Sequence, residues 1–284
     1  MRLPARAPML RARFGAPMRL VLALALLLPA GAALAQPVAL APHRAVYELS
    51  LSRGGGSRGL ETARGLVAFD FTGDACEGYA LKYRQVTILE GGETGSRTSD
   101  LRSTTFESPD GGSFRFRSEQ ELPNGDSSLV EGEAERRGPA TTIRLRRPEA
   151  ATVTLDAQPH FPTAHMRRLL EAARAGEATV PAQVFDGTDD GRKVYDTLAV
   201  IGRRAEPGTE EPGEGAQALA KLPHWPVRLS YFAPGQGERT PIYVISFRLY
   251  ENGVSAGLTL DYGEFALAGR LTRLELLPES ACRR

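Results

Sequence analysis

A chain of 284 residues with a formal charge of +1 is long enough for one large all-β domain or two small ones, and it has no electrostatic case for binding nucleic acid. Residues 1–35 hold five arginines and no acid, so without them the charge falls to −4. The two cysteines, Cys76 and Cys282, belong to no CxxC and sit beside no His, which argues against metal binding and redox catalysis.

In chain order, the first segment reads as an address rather than as fold. Met18 and Arg19 precede the apolar run Leu20–Leu28, then Pro29, Gly31 and the small-x-small site Ala33-Leu34-Ala35. This is the layout of a secretory signal peptide cleaved before Gln36, with Met18 as the true start. The run is well short of the ~20 residues that span a bilayer, so no transmembrane anchor is expected. Residues 36–284 are then expected as one soluble domain in the periplasm. In an oxidising compartment two lone cysteines are most simply a disulfide, with two free thiols as the alternative.

From His43 onward apolar and polar residues alternate, the mark of half-buried antiparallel strands. Strands are expected over Ala45–Leu51, Gly65–Phe71, Gly78–Glu90, Thr94–Phe106, Ser113–Leu122, Ser127–Arg136, Thr141–Arg146 and Ala151–Leu155. Pro109-Asp110-Gly111-Gly112 and Asn124-Gly125 supply the turns between them. Met166, Leu169, Leu170 and Ala173 then recur at i, i+3, i+4, i+7, which predicts a helix over Thr163–Ala175 with Thr163 as N-cap and Gly176 at C′. Strands return at Thr179–Phe185, Lys193–Gly202, Trp225–Phe232, Pro241–Tyr250, Val254–Tyr262 and Glu264–Leu276, interrupted by a polar Pro/Gly loop at Arg203–Gly215. The expected fold is mostly β: one long, curved antiparallel sheet of roughly fourteen strands, a β-spiral or open barrel, with one helix on its concave face.

Several constellations suggest chemistry. Asp186, Asp189 and Asp190 alternate around glycines, as in a cation loop, but the distal bidentate Glu of an EF-hand is missing and acidic glycine turns are ordinary. His160 and His165 are spaced by five, one beyond the spacing that puts two imidazoles on one helical face. Gly55-Gly56-Ser57-Arg58-Gly59 fits G-x-S-x-G as text, but a strand follows where a nucleophile elbow needs a helix. Arg115, Arg117, Arg144 and Arg146 alternate as a solvated face should. Phe114 and Phe116 on the opposite parity, together with His165, Met166, Leu169 and Leu170 of the helix, form the candidate surface for a ligand or partner.

A set of blocks in order resembles a known family: Ala41-Pro42-His43-Arg44-Ala45-Val46-Tyr47, Phe161-Pro162-Thr163-Ala164-His165-Met166, Val184-Phe185-Asp186-Gly187, Lys193-Val194-Tyr195-Asp196, Trp225-Pro226-Val227, and Tyr262-Gly263-Glu264-Phe265 ahead of Cys282. The set is similar to the periplasmic cell-envelope-integrity proteins of alphaproteobacteria, the EipB family, over almost the whole mature chain. The resemblance implies a spiral or open-barrel sheet, a disulfide that maps onto Cys76 and Cys282, and a role in envelope integrity. It implies no established catalysis, and an architecture akin to periplasmic lipoprotein carriers; no cofactor is expected. The expected protein is therefore a monomeric, non-enzymatic binder of an envelope protein, a lipoprotein or a lipid-like ligand. The competing expectation is an envelope-acting hydrolase or metal-dependent enzyme using His165 and the Asp186–Asp190 turn.

Overall fold

The computed structural model describes residues 38–278 apart from 55–59, 92–94, 123–125, 209–213, 236 and 238. The signal-peptide segment, the G-x-S-x-G text, the Asn124-Gly125 turn and Cys282 lie outside the described residues.

Fourteen strands form one sheet: β1 His43–Arg53, β2 Leu60–Asp74, β3 Gly78–Gly91, β4 Gly95–Glu107, β5 Ser113–Glu121, β6 Ser127–Arg137, β7 Ala140–Arg147, β8 Ala151–Leu155, β9 Thr179–Val184, β10 Tyr195–Ile201, β11 His224–Phe232, β12 Tyr243–Tyr250, β13 Ser255–Asp261 and β14 Ala266–Leu276. The only α-helix among the described residues is α1, Pro162–Ala175, between β8 and β9. The spatial order runs β8 down to β1, then β14 down to β9, with every strand pair antiparallel. Each half is a meander of consecutive hairpins, and the β1–β14 seam joins them. A sheet of this width must curl or split. It curls, and α1 links its two edge strands.

The alternation expected from sequence sorts the faces. In β1, His43, Ala45, Tyr47 and Leu49 are buried, whereas Arg44, Glu48 and Ser50 are exposed. The outer face carries ion pairs across strands, Arg84 on Asp100, Arg117 on Glu131 and Arg144 on Glu133 and Glu135, and along single strands, Arg102 on Asp100 and Arg117 on Glu119. Arg146 joins the same ladder through Glu131 and Glu133, and Arg115 lies over the Phe106 ring, 4.6 Å from its centroid. Exposed pairs of this kind contribute little each, about 0.2–1 kcal/mol.

The concave face is filled from both halves. One core cluster joins Leu169, Leu170, Ala172 and Ala173 of α1 to Phe71 and Tyr79 from β2 and β3, Val180 from β9, Ala199 from β10, Trp225 from β11 and Phe247 from β12. The helix is thus a plug, docked by the stripe that its spacing predicts. Its C-terminus closes as a Schellman motif: Gly176 has φ +75°, its N–H donates to Ala173 O, and Glu177 N–H donates to Ala172 O at 2.9 Å.

The N-terminus departs from the sequence reading. Phe161, not Thr163, is the N-cap, Pro162 occupies N1, and no side chain of the cap residue bonds the helix. The orphan N–H groups of Thr163 and Ala164 instead donate to the two carboxylate oxygens of Glu107, both at 2.8 Å. Glu107 ends β4 and is 2% exposed. A cap delivered across the fold from a strand leaves no trace in local sequence.

A short 3-10 turn, Glu214–Leu219, drops Ala216 and Leu219 into the core beside Leu271 of β14. Ala216 itself, at φ −115° and ψ 16°, marks a kink within the segment.

Candidate functional site

Beneath α1 the sheet leaves a cavity of about 300 Å³ that is partly open to solvent, and a larger, equally open one of about 720 Å³ adjoins it. Both share Phe69, Leu81, Tyr83, Asp186, Tyr231, Tyr243 and Ile245 in their walls, so they form one branched space. Volumes of this size lie within the ~300–1,000 Å³ range of small-molecule sites. The strands supply the lining because their inward parity alternates apolar and aromatic side chains: Phe69 and Phe71 on β2, Leu81 and Tyr83 on β3, Tyr243, Ile245 and Phe247 on β12. The helix closes the first cavity with His165, Met166 and Leu169.

The polar groups in these walls are mostly committed. Tyr47 donates its hydroxyl to Ser255 O at 2.7 Å, and Tyr83 donates to Gln85 Oε1 at 2.6 Å. The His43 ring stacks on Phe69 at 5.2 Å, with Nδ1 2.8 Å from Ala41 O, and burial pushes its pKa below the usual imidazole value. Asp186 accepts at Oδ1 from the Thr188 N–H at 3.0 Å and the Thr188 hydroxyl at 2.7 Å, and burial pushes its carboxyl up. The Tyr231 hydroxyl, in the walls of both cavities, makes no such bond, and His165 is the buried case. It is 4% exposed, and its Nε2 is buried with no hydrogen-bond partner. Burial, reinforced by His160 with its ring 6.3 Å away, lowers the His165 pKa to about 4, so the imidazole is neutral at pH 7.

The residues singled out from sequence divide. His165, Met166 and Leu169 line the first cavity. Leu170 is fully buried in the core behind it. Phe114 and Phe116 line neither cavity: they pack with Phe161 and Phe185 in a separate aromatic cluster, ring centroids 5.1–6.2 Å apart. Their inward parity is right, but this end of the sheet is filled by the loop after β9.

That loop is the acidic turn. Gly187 has φ +72°, and a Cβ there would lie 2.5 Å from Phe116 Cδ2. Gly191, at φ +70°, would meet Val130 and Leu145 at 2.7 Å. Its carboxylates do not converge. Asp189 accepts from Lys193 Nζ and the Tyr195 hydroxyl, and Asp190 from the Arg192 N–H at 2.9 Å. Among the described residues no three His, Cys, Asp or Glu side chains gather as a metal site, and no hydrogen bond joins His165 to Asp186. The turn is a docking element built on its glycines.

Sequence reasoning missed the walls themselves. Tyr47, Tyr83, Tyr231 and Tyr243 are cavity residues, signalled only by aromatic side chains on the inward parity of strands from opposite halves of the chain.

Residues 34–278 match the family model described as EipB-like. The chain is 37% identical over 250 residues to the cell envelope integrity protein EipB of Brucella abortus (strain 2308), across 87% of this chain and 88% of that protein. It also superposes on the crystal structure of a β-barrel-like protein of a domain of unknown function from Brucella abortus, with a TM-score of 0.77 and 34% identity, covering 84% of this chain and 99% of that one. Family model, sequence identity and fold agree over nearly the same stretch, and this chain belongs to the EipB-like family.

Proposed function

We propose that this protein maintains the cell envelope as a non-enzymatic, periplasmic binding protein that holds an apolar ligand, such as a lipid or a lipoprotein acyl group, inside its curved sheet. The name of its Brucella relative supports the envelope role. The observation that carries the binding role is the branched cavity under α1, walled by aromatic and aliphatic side chains from both halves of the sheet. The leader at residues 18–35 supports export.

A disulfide between Cys76 and Cys282 belongs to the same reading. Cys76 lies in the turn after β2. His43 pairs with both Phe71 of β2 and Leu276 of β14, so that turn and the end of β14 lie at the same end of the sheet.

Native mass spectrometry of protein exported and purified without detergent tests the binding role, beside displacement of a polarity-sensitive apolar dye. An apolar ligand released from the folded protein is the expected result. Failure of every apolar probe to bind, with Met166→Trp changing nothing, overturns the reading.

A further inference from the structure

The two cavities share walls but differ in chemistry. The first is lined mainly by aliphatic and aromatic side chains beneath α1. The larger one has two unlike sides. On one, Tyr231, Tyr243, Tyr262 and Phe265 form a row across β11, β12 and the β13–β14 turn, each ring against the next at centroid distances of 6.1, 4.9 and 5.0 Å. Tyr231 and Tyr243 are direct partners across β11 and β12, which fixes the start of the row. On the other, β3, β4 and β5 present Gln85, Thr87, Ser99 and Gln120 from their inward parity. The two sides meet where Gln85 Nε2 donates to the Tyr262 hydroxyl at 3.2 Å.

Gln85 is committed within the protein, since its Oε1 accepts from Tyr83 and its Nε2 also reaches Thr87. Three polar side chains of this cavity are not. The Gln120 amide and the hydroxyls of Ser99 and Tyr231 make no hydrogen bond among the described residues. All three residues are half-buried and these atoms keep accessible surface, so an occupant can reach them.

An aromatic row facing uncharged amide and hydroxyl groups suits a sugar. A sugar ring has a face of weakly positive C–H groups, which pack on the negative faces of tyrosine rings, and a rim of hydroxyls that donate and accept. An amide such as that of Gln120 offers both donors and an acceptor to that rim. No Lys or Arg lines this cavity, so a carboxylate or phosphate head finds no cation to pair with. A quaternary ammonium would find the same rings beside Asp186, but it carries no group that bonds Gln120, Ser99 and Tyr231.

We propose that the larger cavity is a sugar subsite: an uncharged glycosyl head stacks on the aromatic row and is hydrogen-bonded by Gln120, Ser99 and Tyr231, with its apolar chain in the first cavity. The placement of the chain rests on the apolar-ligand reading; the sugar seat does not. The occupant is then a glycolipid rather than a bare acyl group.

The experiment compares an alkyl β-maltoside with the alkanol, the fatty acid carboxylate and the alkyltrimethylammonium of equal chain length, all below their micelle concentrations. Each displaces a polarity-sensitive dye from the intact wild-type protein at pH 7.5. The maltoside is expected to bind about tenfold tighter than the alkanol, the size of one or two hydrogen bonds. In saturation-transfer NMR, irradiating the aromatic protons of the protein should label the sugar C–H protons as well as the alkyl chain. Gln120→Leu, which removes no hydrogen bond among the described residues, should weaken the maltoside about three- to tenfold and leave the alkanol unchanged. A carboxylate or ammonium probe that outranks the maltoside overturns the sugar subsite and leaves the apolar-ligand reading standing. Equal affinity for maltoside and alkanol, with saturation reaching only the alkyl protons, does the same, and neither result depends on a variant folding. Equal effects of Gln120→Leu on maltoside and alkanol overturn the role of the amide. If the maltoside binds and the alkanol does not, the sugar subsite stands and the apolar-ligand reading falls; if no probe binds, both fall.

Discussion

Replacing Gly187 by Ala tests whether the acidic turn is held by packing on Phe116. Two costs are separable. A non-glycine residue at φ +72° pays for the left-handed conformation, about 1–2 kcal/mol. The added Cβ would sit 2.5 Å from Phe116 Cδ2 and 2.9 Å from its Cβ, an overpacking cost of about 1–3 kcal/mol. Stiffening of the unfolded chain returns about 0.4–1 kcal/mol, so the net loss is expected at about 2–4 kcal/mol. Gly138 is the internal control: it has φ +59° and nothing within 4 Å of its Cβ position, so Gly138→Ala keeps only the conformational part, about 1 kcal/mol or less. Urea unfolding reports both, read through Trp225, the single tryptophan, which is 3% exposed beside α1 and away from the turn. In a double-mutant cycle Phe116→Ala should relieve the collision, giving a coupling of at least about 1 kcal/mol. A Gly187→Ala protein within about 0.5 kcal/mol of wild type, or strictly additive losses with Phe116→Ala, would refute the docked-turn account.

Leu170→Ala should cost about 2–5 kcal/mol because the side chain is fully buried under the helix, whereas Arg168→Ala, on the solvent side, should stay within about 0.5 kcal/mol; equal melting of the two variants would contradict the plug. Glu107→Ala should lower stability by about 2–4 kcal/mol in urea melts, since the N–H groups of Thr163 and Ala164 lose a buried charged acceptor. His165 supplies a pH signature. Its folded pKa, about 4, lies below the unfolded imidazole value of 6.5, so its contribution is present above 6.5 and is lost as pH falls towards 4. Across that window wild type should lose about 3 kcal/mol more than His165→Phe, with urea melts at stepped pH as the measurement.

The sheet was legible in the sequence because its information is local. Alternation in Ala45–Leu51 or Phe114–Arg117 needs only a half-buried strand, and turn residues such as Gly111 and Gly253 carry their own backbone requirement. The helix stripe was legible for the same reason, down to the C′ glycine. What escaped depends on contacts between distant segments. Glu107 caps a helix that starts more than fifty residues later, and the aromatic pair Phe114 and Phe116 is indistinguishable by parity from the cavity-lining Phe69 and Phe71 until the loop after β9 is laid over it. His165 could be named from its position near the helix start, but its isolation from any partner belongs to the folded interior.

The seam between β1 and β14 sets the order in which this protein can be completed. Glu48 and Arg270 meet across it from positions 222 apart, and closing a loop of that length costs roughly 5 kcal/mol of chain entropy beyond a constant, while every other strand pair is a neighbour in sequence. The two meanders can therefore assemble early and independently, and the join between them waits for the last strand to be made. A nascent chain passes through a stage in which β1 is already paired to β2 on one side and offers an open row of backbone donors and acceptors on the other. Truncations or slow steps that delay β14 lengthen that stage, so the stretch from Ala266 to Leu276 governs not only the finished fold but how long the unfinished one is exposed to mispairing.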